Sequence, residues 1–157
     1  MQWRTDILGD DFQACAFEAA GPDGVLRTAT LVRHTPLPPA PSGLPARAVL
    51  FLHGWSDYFF NEELAEFWAG QGFEFFALDM HNHGRSLRPG THGGYVADLD
   101  NYDAEITAAL GIIGSLRPAG AAPQVTLMGH STGGLFAALW ADRHPGVVSQ
   151  LVLDSPW

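Results

Sequence analysis

Four stretches of the chain, residues 48–52, 73–78, 125–128 and 150–153, are almost continuously apolar. Such short runs, lacking the apolar–polar alternation of a half-exposed strand, mark strands buried on both faces of a parallel sheet. Between them the apolar positions recur every three or four residues, which is helical spacing. Leu64, Phe67 and Trp68 make the first such stripe, with Asn61 placed to cap it ahead of Glu62 and Glu63. Tyr102, Ile106, Leu110, Ile113 and Leu116 make a longer one over about residues 98–116, and Leu135, Phe136, Leu139 and Trp140 a third that ends near His144 and Pro145. Upstream, residues 12–20 and 25–34 have strand character and flank Gly21-Pro22-Asp23-Gly24, a turn sequence, so they predict a β-hairpin. Residues 35–45 hold five prolines and predict an extended surface connector.

Strands alternating with helices imply βαβ crossovers. The expected fold class is α/β: a mostly parallel sheet with helices on both faces, preceded by the hairpin, in a single domain over residues 1–157. Composition agrees, with 46% hydrophobic and 16% charged residues in 157. A chain of this length buries roughly 68–70% of its unfolded surface and needs no disulfide or structural metal. Cys15 is the lone cysteine, which excludes an internal disulfide and a cysteine-based zinc site and fits a cytoplasmic, reducing location. No apolar stretch is long enough for a signal peptide or an integral membrane span. The net charge of −9 opposes binding to nucleic acid or to an anionic bilayer. All eight basic residues are arginine, so neither a P-loop nor a lysine Schiff base can be built. No cofactor is expected.

Chemistry concentrates where the buried strands end. Gly129-His130-Ser131-Thr132-Gly133-Gly134 lies between an apolar strand and an apolar helix, the setting of a G-x-S-x-G nucleophile elbow. A turn that sharp strains the serine, and glycines at 129 and 133 relieve the crowding around it. Ser131 is then the candidate nucleophile, with the Thr132 amide facing the charge that forms on an attacked carbonyl. His53-Gly54-Trp55 closes the first parallel strand at the edge where open α/β sheets place their sites, and the Trp55 amide is a second candidate oxyanion donor. Residues 79–86, Asp-Met-His-Asn-His-Gly-Arg-Ser, follow the second strand. Their His-x-His spacing beside a carboxylate could bind a metal, but no further ligand stands out to complete a site, and a loop ordered by hydrogen bonds is the better reading. His34 and His92 read as surface or turn residues.

Together the three segments resemble the α/β-hydrolase superfamily, in particular its monoacylglycerol lipase and lysophospholipase-like group, which shades into the serine aminopeptidases. The resemblance runs from about Arg47 to Trp157. His53-Gly54 is similar to the family's oxyanion motif, residues 79–86 to its D-x-R-G-x-G-x-S loop, and Ser131 to its nucleophile. His81 and Asn82 depart from the usual Arg and Gly of that loop. The resemblance implies a serine hydrolase acting through an acyl-enzyme on a small ester or lipid-like substrate.

In this fold the serine is followed in the chain by an acid and then by a histidine base. After Ser131 the sequence offers Asp142, His144 and Asp154. His144 sits roughly 20 Å along the helix that starts at the serine, at ~1.5 Å per residue, too far to be the base. The sharp turn should aim His130 elsewhere. Asp154, at the end of the last strand, is a minority candidate for the acid. The chain therefore reads as the N-terminal portion of a longer hydrolase, with cap, base and acid expected beyond Trp157, an unpaired final strand that makes it adhesive, and no activity alone. The competing expectation is a non-catalytic binding scaffold that retains the hydrolase fold.

Overall fold

The computed structural model describes residues 2–36, 38, 45–118 and 121–157. Most of the proline-rich connector lies outside the described residues. Seven strands, β1 (Arg4–Asp6), β2 (Gly9–Ala20), β3 (Leu26–His34), β4 (Arg47–Leu52), β5 (Glu74–Asp79), β6 (Gln124–His130) and β7 (Gln150–Asp154), form one sheet in the order β1-β2-β3-β5-β4-β6-β7. The first three run as an antiparallel meander, β3 pairs antiparallel with β5, and β5, β4, β6 and β7 are parallel. Helices α1 (Glu62–Gly70), α2 (Asn101–Ser115) and α3 (Thr132–Arg143) cover the sheet.

Alternation along β4 explains its unbroken apolar run. Ala48, Leu50 and Leu52 join Ile106 and Trp140 in a core under α2 and α3, whereas Val49 and Phe51 join Phe59, Ala65 and Phe75 in a second core under α1. Helices on both faces are therefore required. The Asn61 side chain caps α1 by accepting from the Leu64 amide at 3.0 Å, as its sequence position predicts.

Four details differ from the sequence reading. The three-residue strand β1 was not expected, because Arg-Thr-Asp carries no apolar signal. Phe67 matches the helical spacing yet is 58% exposed, since Ala65 takes the position facing the sheet. On α2 the small Ala109 is buried while Leu116, one residue past the helix, is exposed. His34 is buried at the end of β3, its ring 5.0 Å from that of Phe12, rather than lying on the surface.

The far edge of the sheet is β7, whose Leu151 and Leu153 are 39% and 42% exposed. No helix among the described residues is long and apolar enough to cross a membrane.

Candidate active site

The turn from β6 into α3 is made by Ser131 alone, at φ 53° and ψ −124°. A non-glycine residue there costs on the order of 1–3 kcal/mol and persists only where its surroundings over-determine it. They do so through the main chain. The Ser131 amide donates to the Asp154 carbonyl at 3.0 Å, and the Ser131 carbonyl accepts from the amides of Gly134 at 2.9 Å and Trp157 at 3.3 Å. The neighbouring glycines follow from sterics. A Cβ on Gly129 would collide with the Gly133 backbone, and one on Gly133 with the carbonyl oxygens of Leu52 and His53. The helix start is thus seated directly on the ends of β4 and β6.

Gly54 stands beside the serine: a Cβ placed on it would lie 3.3 Å from Ser131 Cβ and 3.7 Å from Oγ. Gly54, Trp55, Asp57, His130, Ser131 and Thr132 line a cleft of about 670 Å³, with Trp157 on its rim. Among the described residues Ser131 Oγ has no hydrogen-bond partner, and the amides of Trp55 and Thr132 meet no protein acceptor. The Thr132 amide also belongs to the first turn of α3, where unpaired N–H groups and the helix dipole favour negative charge. A hydroxyl flanked by two spare N–H donors can hold an oxyanion formed on a group bonded to that hydroxyl.

His53 is fully buried and its two nitrogens are spoken for. Nδ1–H donates to the Gly54 carbonyl at 2.7 Å, and Nε2 accepts from the Met80 amide at 3.2 Å. Burial, followed by the neighbouring His83, pushes its pKa down to about 4. It is a neutral bolt between the ends of β4 and β5, with no free nitrogen to act as a base. Trp55, 70% exposed, ties the same loop down by donating from its indole to the Gly94 carbonyl at 3.0 Å.

Residues 79–86 form a loop ordered by hydrogen bonds. Asp79 accepts from the Phe59 amide at 2.9 Å on one oxygen, and from the Arg85 amide (2.9 Å) and guanidinium (2.8 Å) on the other. The two departures from the family pattern are both accommodated. His81 pairs through its ring and its amide with the buried Glu105 of α2. Asn82 adopts φ 61°, a left-handed conformation that asparagine tolerates better than most residues. Ser86 Oγ donates to the Asp79 carbonyl at 2.7 Å.

The remaining candidates are placed as follows. Asp154 ends β7 on the same edge of the sheet, opposite His130, and its carboxylate accepts from His130 Nδ1 at 2.9 Å. His130 is among the residues that line the serine cleft, but its ring is turned to Asp154 and is not bonded to Ser131, in keeping with the expectation that the turn aims it elsewhere. His144 closes α3, with Nδ1 on the Trp140 carbonyl and its ring stacked 4.4 Å from that of Trp140. The sequence reading missed Asp6 and Glu105, whose partners lie 79 and 24 residues away.

Residues 43–157 match the family described as serine aminopeptidase, S33. The chain belongs to this family, and with it to the α/β-hydrolase superfamily. No curated protein matches it. Similar solved structures include a probable hydrolytic enzyme from Pseudomonas aeruginosa (23% identity, TM-score 0.68) and a thermostable carboxyl esterase from Bacillus coagulans (18%, 0.69). An open-form lipase is also similar (21%, 0.62). These likenesses cover 91%, 92% and 89% of the chain but only 41%, 44% and 43% of those structures, so the chain spans less than half their length.

Proposed function

We propose that this family member is a serine hydrolase of carboxylic esters, that the β6–α3 turn is its nucleophile elbow, and that Ser131 carries the acyl group. The observation that carries the proposal is the backbone of Ser131, at φ 53° and ψ −124° beside two unengaged amides. A strained serine with an unbonded Oγ has no evident structural use, and such strain concentrates at functional sites.

In the proposed reaction Ser131 Oγ bonds to the ester carbonyl carbon while its proton passes to a base, and the resulting oxyanion accepts from the Trp55 and Thr132 amides. Collapse expels the alcohol, which takes the proton from the base. Water then adds to the acyl carbon as the base takes its proton, and collapse releases the carboxylic acid as Ser131 Oγ leaves with that proton. Because His144 is tied to Trp140 at the far end of α3, His53 has no free nitrogen, and His130 is turned to Asp154 and makes no bond to Ser131, the base is assigned to a residue outside this chain in a longer protein. The acid is assigned there too, since Asp154 already holds His130. The much greater length of the similar solved structures supports that assignment. The exposed rings of Trp55 and Trp157 at the cleft, and of Tyr58 and Phe60 in the adjoining pocket that shares Asp57 and His130, support an apolar, ester or lipid-like substrate, and the single buried free thiol Cys15 accords with a cytoplasmic protein.

The test is labelling of the full-length protein by a fluorophosphonate. Labelling should map to Ser131, Ser131→Ala should abolish both labelling and esterase activity, and residues 1–157 alone should show neither. A full-length protein inert to the probe removes the enzyme reading and leaves the binding scaffold.

A further inference from the structure

The loop that carries the Trp55 amide, residues 53–61, is anchored at its start by His53 on the Met80 amide and by the Trp55 indole on the Gly94 carbonyl, and beyond these it forms no strand pairing. It passes from the end of β4 to the start of α1, and in its second half Phe59 is gripped through both its amide and its carbonyl. The Phe59 amide donates to Asp79 Oδ1 at 2.9 Å, and its carbonyl accepts from Arg85 Nη1 at 2.9 Å. Arg85 has two further nitrogens, and both donate to Asp6: Nε to Oδ2 and Nη2 to Oδ1, each at 2.6 Å. This parallel two-bond fork fixes the plane of the guanidinium as well as its charge. Both side chains are more than nine-tenths buried. Gly84 completes the arrangement, because a Cβ there would collide with Tyr58 and with Asp79. The 79–86 loop can therefore close against residues 58–59 only with glycine at that place.

We propose that Asp6, on the short strand β1, is a positioning residue for the Trp55 oxyanion donor. It orients Arg85, Arg85 with Asp79 clamps the Phe59 main chain, and this clamp, together with the His53 and Trp55 side-chain bonds, sets the loop that presents the Trp55 amide beside Ser131. The proposal rests on the reading of Ser131 as nucleophile and of Trp55 as oxyanion donor. Asp6 itself touches no reacting atom. Without it Arg85 keeps its bond to Asp79 but loses the fork that fixes its plane, and the loop gains freedom where the oxyanion must be met. Misplacement of a single donor by a fraction of an ångström is worth about tenfold in rate, a part of the 10²–10³ lost when a donor is removed outright.

The test compares Asp6→Asn with wild type in the full-length protein, using a short-chain nitrophenyl ester, a fluorophosphonate and amide hydrogen exchange. The expected result is a fall of about tenfold in kcat and in the Ser131 labelling rate, with KM changed less than about twofold. Exchange at the Phe59 amide should quicken by about tenfold while that of Leu127 in β6 stays the same. Asp6→Glu, which keeps the charge and the fork, should recover the labelling rate to within about threefold. If Asp6→Asn does not fold, Arg85→Lys supplies the same comparison, because lysine keeps the charge and loses the fork, and it should show the same loss of kcat.

Labelling and Phe59 exchange at wild-type rates in either variant would overturn the positioning role, as would a loss of stability with no change in kcat. A wild-type protein that is not labelled at all overturns the serine hydrolase reading, and this proposal with it. That outcome is distinct from failure of the clamp alone, in which wild type and variant are labelled equally fast.

Discussion

Replacing Gly133 by alanine should separate packing from helix propensity, because a second helical glycine, Gly111, provides a matched control. Around Gly111, in the exposed middle of α2, an added Cβ meets nothing within 4 Å. Alanine there should stabilise the protein by roughly 0.8–1 kcal/mol through helix propensity alone, or about 2–4 °C in Tm for a chain of this size. At Gly133 the same methyl would lie 2.5 Å from the His53 carbonyl oxygen and 2.8 Å from the Leu52 carbonyl carbon. Carbon contacts are comfortable near 3.5–4.0 Å, so the start of α3 must lift from β4 by about 1 Å. Overpacking of that kind costs about 1–3 kcal/mol, and because the clash is with main-chain atoms that cannot swing aside the upper half of that range applies, which outweighs the propensity gain and leaves a net loss of about 1–2 kcal/mol. Thermal melts of both variants should therefore move in opposite directions, with Gly133→Ala down by about 2–8 °C. The lift also carries Ser131 and the Thr132 amide together away from the Trp55 amide on the β4 side, so phosphonate labelling should slow by about a hundredfold in the folded variant. A Gly133→Ala protein as stable as Gly111→Ala, or one labelled at the wild-type rate, would refute the steric account of the turn.

Acid should weaken the fold well above the carboxylate range. His53 has its pKa pushed down to about 4 by burial, and burial lowers those of His83 and His34 too, so between pH 6.5 and 4 the unfolded chain binds protons that the folded chain refuses. Stability should fall across that window, by roughly 3 kcal/mol from His53 alone on the usual 1.36 kcal/mol per pKa unit, and a denaturation midpoint that stays flat from pH 7 to 4.5 would contradict it. Asp6, whose pKa is lowered beside Arg85, contributes stability above its ordinary value of 3.8 that is lost only at lower pH, so acid titration should show a second, later loss that Asp6→Asn removes. Asp154→Ala should change stability by less than about 0.5 kcal/mol, because the pair with His130 is exposed on both sides, and a larger loss in urea melts would mean that the pair supports the turn. Trp140→Ala removes a fully buried ring and its hydrogen bond to Thr107 and should cost about 3–5 kcal/mol by the same assay.

What the sequence discloses depends on the range over which each contact acts. The unbroken apolar runs locate β4 to β7 to within a residue or two; for β4, β5 and β6 this is because a strand covered on both faces can show no polar alternation, whereas β7, expected to be buried on both faces, is exposed along most of its length at the sheet edge. The glycines of the β6–α3 turn are equally legible, since their neighbours are fixed by local geometry. β1 is not, because Arg4–Asp6 joins the sheet through backbone bonds to β2 and buries little apolar surface. Phe67 misleads for a related reason: helical spacing identifies a face, but the small Ala65 fits the narrow gap above β5 and the large ring is left outside. The partners of His81 and Arg85 are invisible to any window, as a carboxylate from α2 and another from β1 reach them only once the sheet is assembled. The turn predicts that His130 faces away from Ser131, but its partner Asp154, in the adjacent strand, is hidden from the sequence for the same reason.

The bonds that hold the Ser131 peptide also impose an order of events during synthesis. The carbonyl that accepts its amide belongs to Asp154, and one of the amides that its own carbonyl accepts belongs to Trp157. Neither exists when Ser131 leaves the catalytic centre of the ribosome. At 5–20 residues per second the remaining stretch takes roughly 1–5 s to make. During that interval the strained backbone has nothing to brace it and should relax toward ordinary helical or extended angles, leaving the hydroxyl unaligned with its amides. The geometry proposed for a nucleophile is thus withheld from the nascent chain until the sheet edge that disciplines it has been laid down.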